Sequence, residues 1–332
     1  MSAAAPADAP LLVVEGLRTH FPTRGGLVRA VDGVSFSIAR GEVTGLVGES
    51  GSGKSITGYS ILGLLDPPGR IVEGSIRYDG VDLVGLDPEA MRRLRGDRIS
   101  MVFQDPMMTL NPVMRIDRQI IEAVLAHDDV TEASARQRAR DALVRVGIAS
   151  PDERMRAYPH QFSGGMRQRV AIAIALVNRP DLVIADEPTT ALDVTIQGQI
   201  LHEVQTLARD TGTSVLWITH DLAVVAGLAD RVCVMYAGRI VEQGSTVQVL
   251  ESPAHPYTQG LLDSVPSRNA RGARLRQIPG MAPSPVSPPE GCAFRERCPR
   301  ADAACLVAPP MREAPFDRRR AVACHHPLAI WS

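Results

Sequence analysis

The chain has 332 residues, 45% of them apolar, enough to bury one large core and a smaller appended segment. Its 36 basic against 37 acidic residues leave a net charge of -1, and only 4% of positions are aromatic, so it lacks both the positive field and the stacking platforms of a nucleic-acid binder. No apolar run approaches the roughly eighteen positions of a spanning helix, and the opening MSAAAPADAPLLVVEGL lacks the cationic flank of a secretory signal, which predicts a cytoplasmic chain with at most a peripheral place at a membrane.

In chain order, Leu11 to Leu17 and Val28 to Ile38 are rich in β-formers, and Glu42 to Val47 reads as a fully buried strand. That strand runs straight into Gly48-Glu49-Ser50-Gly51-Ser52-Gly53-Lys54-Ser55, and a helical pattern follows from Lys54 to Leu65. The octet fits G-x-x-x-x-G-K-S in the strand–turn–helix context that a P-loop needs. Its glycines let backbone N–H groups turn onto the phosphates of ATP, and the helix N-terminus adds partial positive charge. Lys54 reaches the β and γ phosphates, and Ser55 places its hydroxyl on Mg²⁺.

Further strands are expected at Glu73 to Asp82 and Ile99 to Gln104, around a short charged helix containing Arg92, Arg93 and Arg95. Pro112 to Pro159 is mostly helical, with amphipathic segments at Asp117 to Ala126 and Thr131 to Val146, a helical insertion between strands. After Gly165 helix and strand alternate: Met166 to Leu176, Leu182 to Asp186, Ile196 to Arg209, Ser214 to His220, a helix, and Arg231 to Tyr236. Such alternation predicts βαβ units and a parallel sheet with helices on both faces. Leu182 to Glu187 is an apolar strand ending in two acids, at the strand end where parallel sheets present ligand-binding groups. There Asp186 is suited to hold the Mg²⁺ shell, and Glu187 to orient and deprotonate the attacking water.

Composition shifts near Pro266 into a Pro-, Arg- and Ser-rich stretch, and Cys292, Cys298, Cys305 and Cys324 lie beyond it. Four clustered thiols in a reducing compartment suggest a metal, although the spacing C-x₅-C-x₆-C-x₁₈-C lacks the close C-x₂-C pairs usual for zinc. Four cysteine ligands suit either zinc or an iron–sulfur cluster. Cys233, on an apolar strand, reads as a small core residue, and His325 and His326 as a solvated pair.

The run Phe162-Ser163-Gly164-Gly165-Met166-Arg167-Gln168-Arg169 resembles the signature motif of ABC transporter ATPases, with Met166 where many relatives carry Gln. The other elements of that family follow in order: Gln104 as the Q-loop, Ala191-Leu192-Asp193 as the D-loop and His220 as the switch histidine. Phe21 matches the aromatic that stacks on adenine. Tyr158-Pro159-His160-Gln161 before the signature, Asp105-Pro106 through Leu110-Asn111-Pro112, and His255-Pro256-Tyr257-Thr258 are similar to the dipeptide/oligopeptide importer branch, as are Gly291-Cys292-Ala293-Phe294 and Arg297-Cys298-Pro299.

The resemblance covers nearly the whole chain. It implies an α/β P-loop NTPase with an ABC-type nucleotide-binding domain over 1–265, a helical subdomain at about 107–178, and a small Cys-rich extension over 266–332. It also implies an ATPase in which Glu187, His220 and Gln104 serve catalysis, and Gln104 joins Ser55 at the Mg²⁺. Phe21, Gly48, Ser50, Gly51, Ser52, Gly53, Lys54, Ser55 and Asp186 bind the nucleotide. Ser163, Gly164 and Gly165 cap the ATP of an opposite subunit, and Asp193 also serves nucleotide binding. The four tail cysteines are implied to hold a [4Fe-4S] cluster, with zinc or free thiols as alternatives. The implied setting is the cytoplasmic face of a membrane, with a second, paralogous ATPase, two permease subunits and an extracytoplasmic solute-binding protein. Dipeptide, oligopeptide, nickel chelate and other small solutes stay open. An exporter subunit, or a soluble ABC ATPase of translation or DNA repair, is the competing class; the tail speaks against the first, and the single nucleotide-binding domain against the second.

Overall fold

The computed structural model describes residues 9–189, 194–265, 269 and 276–328. The chain folds as two compact units, Met1–Gly85 with Ile218–Ser332, and Leu86–Trp217.

The first unit opens with β1 (Leu12–Thr23) and β2 (Gly26–Ile38), an antiparallel hairpin. Along β1, Leu12 and Val14 are buried by strict alternation, and a register shift at Glu15-Gly16 then brings Leu17 and Thr19 to the same face. Gly16 sits at φ +57, the left-handed conformation that such a bulge requires. β3 (Val43–Val47) is buried at every position, as its unbroken apolar pattern demands. It delivers the chain to α1 (Lys54–Leu62), which stops short of Leu65 because Gly63 turns into the left-handed region and donates its N–H to Ser60. β4 (Arg70–Tyr78) pairs with the other side of β1, and the turn Asp79-Gly80, both at positive φ, folds β5 (Val81–Asp82) back onto it. One strand over Glu73 to Asp82 was the expectation; an Asp-Gly pair is a strong hairpin turn and splits it.

The second unit begins with α2 (Pro88–Leu94), whose N-terminus is capped by the Asp87 carboxylate accepting from Glu89 and Ala90; Arg95 falls just outside it. β6 (Ile99–Val102) and β7 (Leu182–Asp186) pair in parallel, Ile99 opposite Leu182 and Val102 opposite Ala185. Between them lie α3 (Ile116–Leu125), α4 (Glu132–Arg145) with Thr131 as its cap, α5 (Pro151–Arg154) and α6 (Gly164–Leu176), close to the helices expected there. Asp117, fully buried, is neutralised by Arg115 at 2.6 Å and Arg136 at 2.8 Å, which ties the starts of α3 and α4 together. α7 (Val194–Thr211) and β8 (Ser214–Thr219) follow, and the chain returns to the first unit within β8.

There α8 (Leu222–Leu228) leads to β9 (Arg231–Tyr236), which pairs in parallel with β3, Val234 opposite Val47. The rest was not read from the sequence. β10 (Arg239–Ser245) turns back antiparallel to β9, α9 (Thr246–Glu251) starts on a Ser245–Gln248 capping box, and α10 (Pro256–Asp263) starts on His255. In the tail, β11 (Arg312–Ala314) pairs with β12 (Asp317–Val322), and β12 adds to β10 with Val322 opposite Glu242. The tail also enters the core: Phe294 packs edge-on against Tyr236 at 5.3 Å and beside Tyr257 at 5.4 Å, in the cluster that contains Val47 and Val234.

Candidate functional site

The first unit carries the phosphate loop, Phe21 and His220. Gly48 leaves β3 at φ +157, and a Cβ there would lie 2.1 Å from the Met235 carbonyl; at Gly53, φ +101, it would lie 2.2 Å from the Ala30 carbonyl. No other residue fits either place, so both glycines are required by the fold as well as by the chemistry. Gly53 provides no side-chain cap to α1 and no acid stands in its first turn, so the positive end of the helix is not offset by a side chain of its own first turn. Lys54 is 4% exposed, and its ammonium donates to the carbonyls of Gly48 at 2.9 Å and Glu49 at 3.0 Å, across the width of the loop. The loop is stitched by Ser52 N–H to the Glu49 carbonyl and by Gly238 N–H to the Ser52 carbonyl. The Ser52 hydroxyl, beside Gly48, has no hydrogen-bond partner among the described residues. Ser50, Gly51 and the half-buried Ser55 complete the turn. Phe21, half-buried near the end of β1, lays its ring against Gly69, where a Cβ would meet it at 2.2 Å. His220 follows β8 at an exposed position.

The second unit carries Gln104, the signature and the two acids. β6 and β7 run in parallel with Val102 opposite Ala185, so Gln104 and the Asp186-Glu187 pair emerge at the same, C-terminal, end of two adjacent strands. Asp186 is 1% exposed. Glu187 holds φ +44, a conformation that is uncommon for any residue but glycine and clusters at functional sites. Ser163 caps α6, its hydroxyl accepting from Met166 N–H at 3.3 Å. Gly164 has open space where a Cβ would stand, so no contact among the described residues requires a glycine there. Asp193, with Ala191 and Leu192, lies outside the described residues.

In the tail, the Cys292 N–H donates to the Cys305 carbonyl at 3.0 Å. The Cys324 thiol is pushed up to about 11, by burial first and in smaller part by the charges of Cys292, Cys298 and Cys305. Backbone N–H groups point at two of them, Arg300 to Cys298 and His326 to Cys324, each at 3.4 Å. Sequence reasoning missed two neighbours. His326, read as solvated, stands 2.9 Å from Asp302, and the donor atoms of Asp302, Cys305 and His326 fall within 4.8 Å of one another. His325 reaches the Val307 carbonyl at 3.0 Å rather than water alone. Cys233 is a core thiol as expected, pushed up to about 12 by burial.

Residues 31–190 match the family model of ABC transporters, and 241–305 that of the oligopeptide/dipeptide transporter C-terminal region. Among solved structures, a dimeric ATP-binding cassette in a post-hydrolysis state with ADP and Pi aligns over 71% of this chain and 98% of its own, TM-score 0.65, at 26% identity. A cassette from Clostridium perfringens, part of an ABC transporter complex, aligns over 74% and 92%, TM-score 0.63, at 30% identity. Fold and motifs together define an ABC-type ATPase, a member of the P-loop NTPases.

The dipeptide transport ATP-binding protein DppD of Bacillus subtilis is 51% identical over 89% of this chain and 88% of its own length. The oligopeptide transport ATP-binding protein OppD of Escherichia coli is 48% identical over 97% and 94%. This chain belongs to that family of dipeptide and oligopeptide transport ATP-binding proteins. Among the described residues no helix is long and apolar enough to cross a membrane.

Proposed function

We propose that the chain is the ATP-hydrolysing subunit of a peptide importer, seated at the cytoplasmic face of the membrane with a second, paralogous ABC ATPase, two permease subunits and an extracytoplasmic solute-binding protein. The observation that carries this is similarity to peptide transport ATPases along almost the whole chain, including the C-terminal region peculiar to that branch.

The roles proposed for the site residues are those that the resemblance to the family implies. Lys54 and the loop N–H groups take the phosphates, with Phe21 against the adenine. Ser55, Gln104 and Asp186 supply oxygens to Mg²⁺, which shields phosphate charge. Glu187 orients and deprotonates water, and His220 assists at the γ-phosphate. Ser163, Gly164 and Gly165 act on the ATP of the opposite subunit, a reason for glycine at 164 that contacts among the described residues do not supply, and Asp193 also serves nucleotide binding. We propose further that Cys292, Cys298, Cys305 and Cys324 hold a [4Fe-4S] cluster as a structural pin. Four cysteines in one short tail, with main-chain N–H groups aimed at the sulfurs of Cys298 and Cys324, support it. Zinc is the alternative, and the Asp302, Cys305, His326 grouping supplies a donor set that it accepts.

The test is to tag the Glu187→Gln variant, trap it with ATP in membranes of its own organism, and identify what co-purifies. Two multi-span permeases and a second ABC ATPase are expected, with a cognate binding protein that takes up peptides. Ribosomal or DNA-repair proteins with no membrane partner would overturn the importer reading, and a binding protein selective for nickel chelates would overturn the peptide.

A further inference from the structure

Two stretches that the ATP chemistry leaves unused, His255-Pro256-Tyr257-Thr258 and Arg297-Cys298-Pro299, converge on one residue of the phosphate loop. The main-chain N–H of Glu49 donates to the Tyr257 hydroxyl at 2.9 Å. Its carboxylate accepts from both ends of the Arg297 guanidinium, Nη1 at 2.7 Å and Nη2 at 3.0 Å. Arg297 is held in turn: Nε donates to the Pro279 carbonyl at 2.9 Å, Nη1 also to the Tyr236 hydroxyl at 3.3 Å, and the cation lies 5.7 Å from the Tyr236 ring centre and 5.9 Å from that of Phe294. All of these residues belong to the first unit.

We infer that Arg297 is a positioning residue for ATP binding, acting through Glu49 to fix the entrance of the phosphate loop. The inference rests on the reading of that loop as the ATP site. Its physical route is short. The Lys54 ammonium is oriented by the carbonyls of Gly48 and Glu49; the first shares its peptide group with the Glu49 N–H and the second belongs to Glu49 itself, so a displacement of Glu49 moves both acceptors together with the lysine. The tyrosine fixes the N–H of that residue and the arginine fixes its side chain, which leaves the peptide little freedom. A bidentate guanidinium–carboxylate pair sets direction as well as distance, and a lysine cannot reproduce it. Arg297 is 7% exposed, so the pair is shielded on the arginine side, whereas the Glu49 side chain is 30% exposed and the pair is partly screened by water.

A purely structural role, fastening the tail to the core, predicts a different result, and nucleotide affinity separates the two. The experiment uses the full-length chain with a non-hydrolysable ATP analogue and Mg²⁺, titrated by calorimetry, in wild type, Arg297→Met, Arg297→Lys, Glu49→Gln and the Arg297→Met/Glu49→Gln double variant, with melting temperature measured alongside. Each single change is expected to weaken affinity by roughly three- to tenfold, Arg297→Lys least, and the double variant to bind no worse than the worse single, because one coupling is lost only once. Additive losses, or lowered melting temperatures with unchanged affinity, overturn the inference. Should Arg297→Met fail to fold, wild-type affinity in both Glu49→Gln and Arg297→Lys overturns it. A wild-type chain that binds no nucleotide overturns the ATP reading along with it, whereas wild-type binding with additive variants overturns the inference alone.

Discussion

Glu187 combines two properties seldom found together, a carboxylate at the end of a buried strand and a backbone at φ +44. Holding a non-glycine residue there costs about 1–3 kcal/mol, which the parallel pairing of β7 with β6 must over-determine. In the general-base role proposed for it, Glu187 would contribute about 10²- to 10⁴-fold to the rate. Glu187→Gln is therefore expected to keep ATP binding and to lose about that factor in phosphate release, while Lys54→Ala loses binding as well; filter binding and a phosphate assay measure both. Turnover near the wild-type rate in the Gln variant would remove Glu187 from the base role. The phosphate loop and the two acids were legible in the sequence because their chemistry is carried by contiguous residues. The Arg297–Glu49 pair was not, since its members are 248 positions apart and each alone is an ordinary charged residue.

Among the elements, α10 starts on a histidine, with the Tyr257 N–H donating to His255 Nδ1 at 3.0 Å. Burial lowers the pKa of His255 from 6.5 to about 3, so in the folded chain the ring stays neutral and keeps its acceptor. The unfolded chain takes up a proton near 6.5 and the folded one does not. Stability therefore falls as pH drops below about 6.5, by at most about 1.4 kcal/mol per pH unit, until the folded ring protonates near 3. Urea melts between neutral and mildly acidic pH are expected to show a shallower acid limb for His255→Asn, which offers a cap oxygen that does not titrate. Equal slopes in variant and wild type would exclude the histidine as the source. Strands with strong patterns, such as Val43–Val47 and Leu182–Asp186, were readable, as were the helices Glu132–Arg145 and Gly164–Leu176, the second expected only from Met166 because its first turn is two glycines. β10, β11 and β12 were not, because Arg239–Ser245 and the tail strands mix charge with small apolar residues and become strands only by pairing with neighbours already in place.

For the whole molecule, the tail is built into the first unit: Phe294 shares a core with Tyr236 and Tyr257, and Cys292 and Cys298 pack against it. Burial holds the Cys292, Cys298 and Cys324 thiols above their ordinary range, so uptake of a metal by the tail would release protons. Full-length protein purified without air is expected to be brown and to carry about four iron atoms and as much sulfide per chain, lost together in Cys298→Ser. Zinc without iron would assign the alternative, and a chain with neither metal would leave the thiols free. Composition alone marked where the tail begins, since Pro-rich sequence is visible in one dimension; its docking onto β10 and the aromatic core depends on residues that approach only in three.

That docking bears on solubility. β12 pairs with β10 through Glu242 and Gln243, so the tail occupies a border of the sheet that would otherwise present a row of open N–H and carbonyl groups. The strand that then stands outermost, β11, is three residues long and carries Arg312 and Glu313. A short charged strand is a poor template for pairing with another copy of the chain, so the extension also guards the ATPase against sheet-to-sheet aggregation.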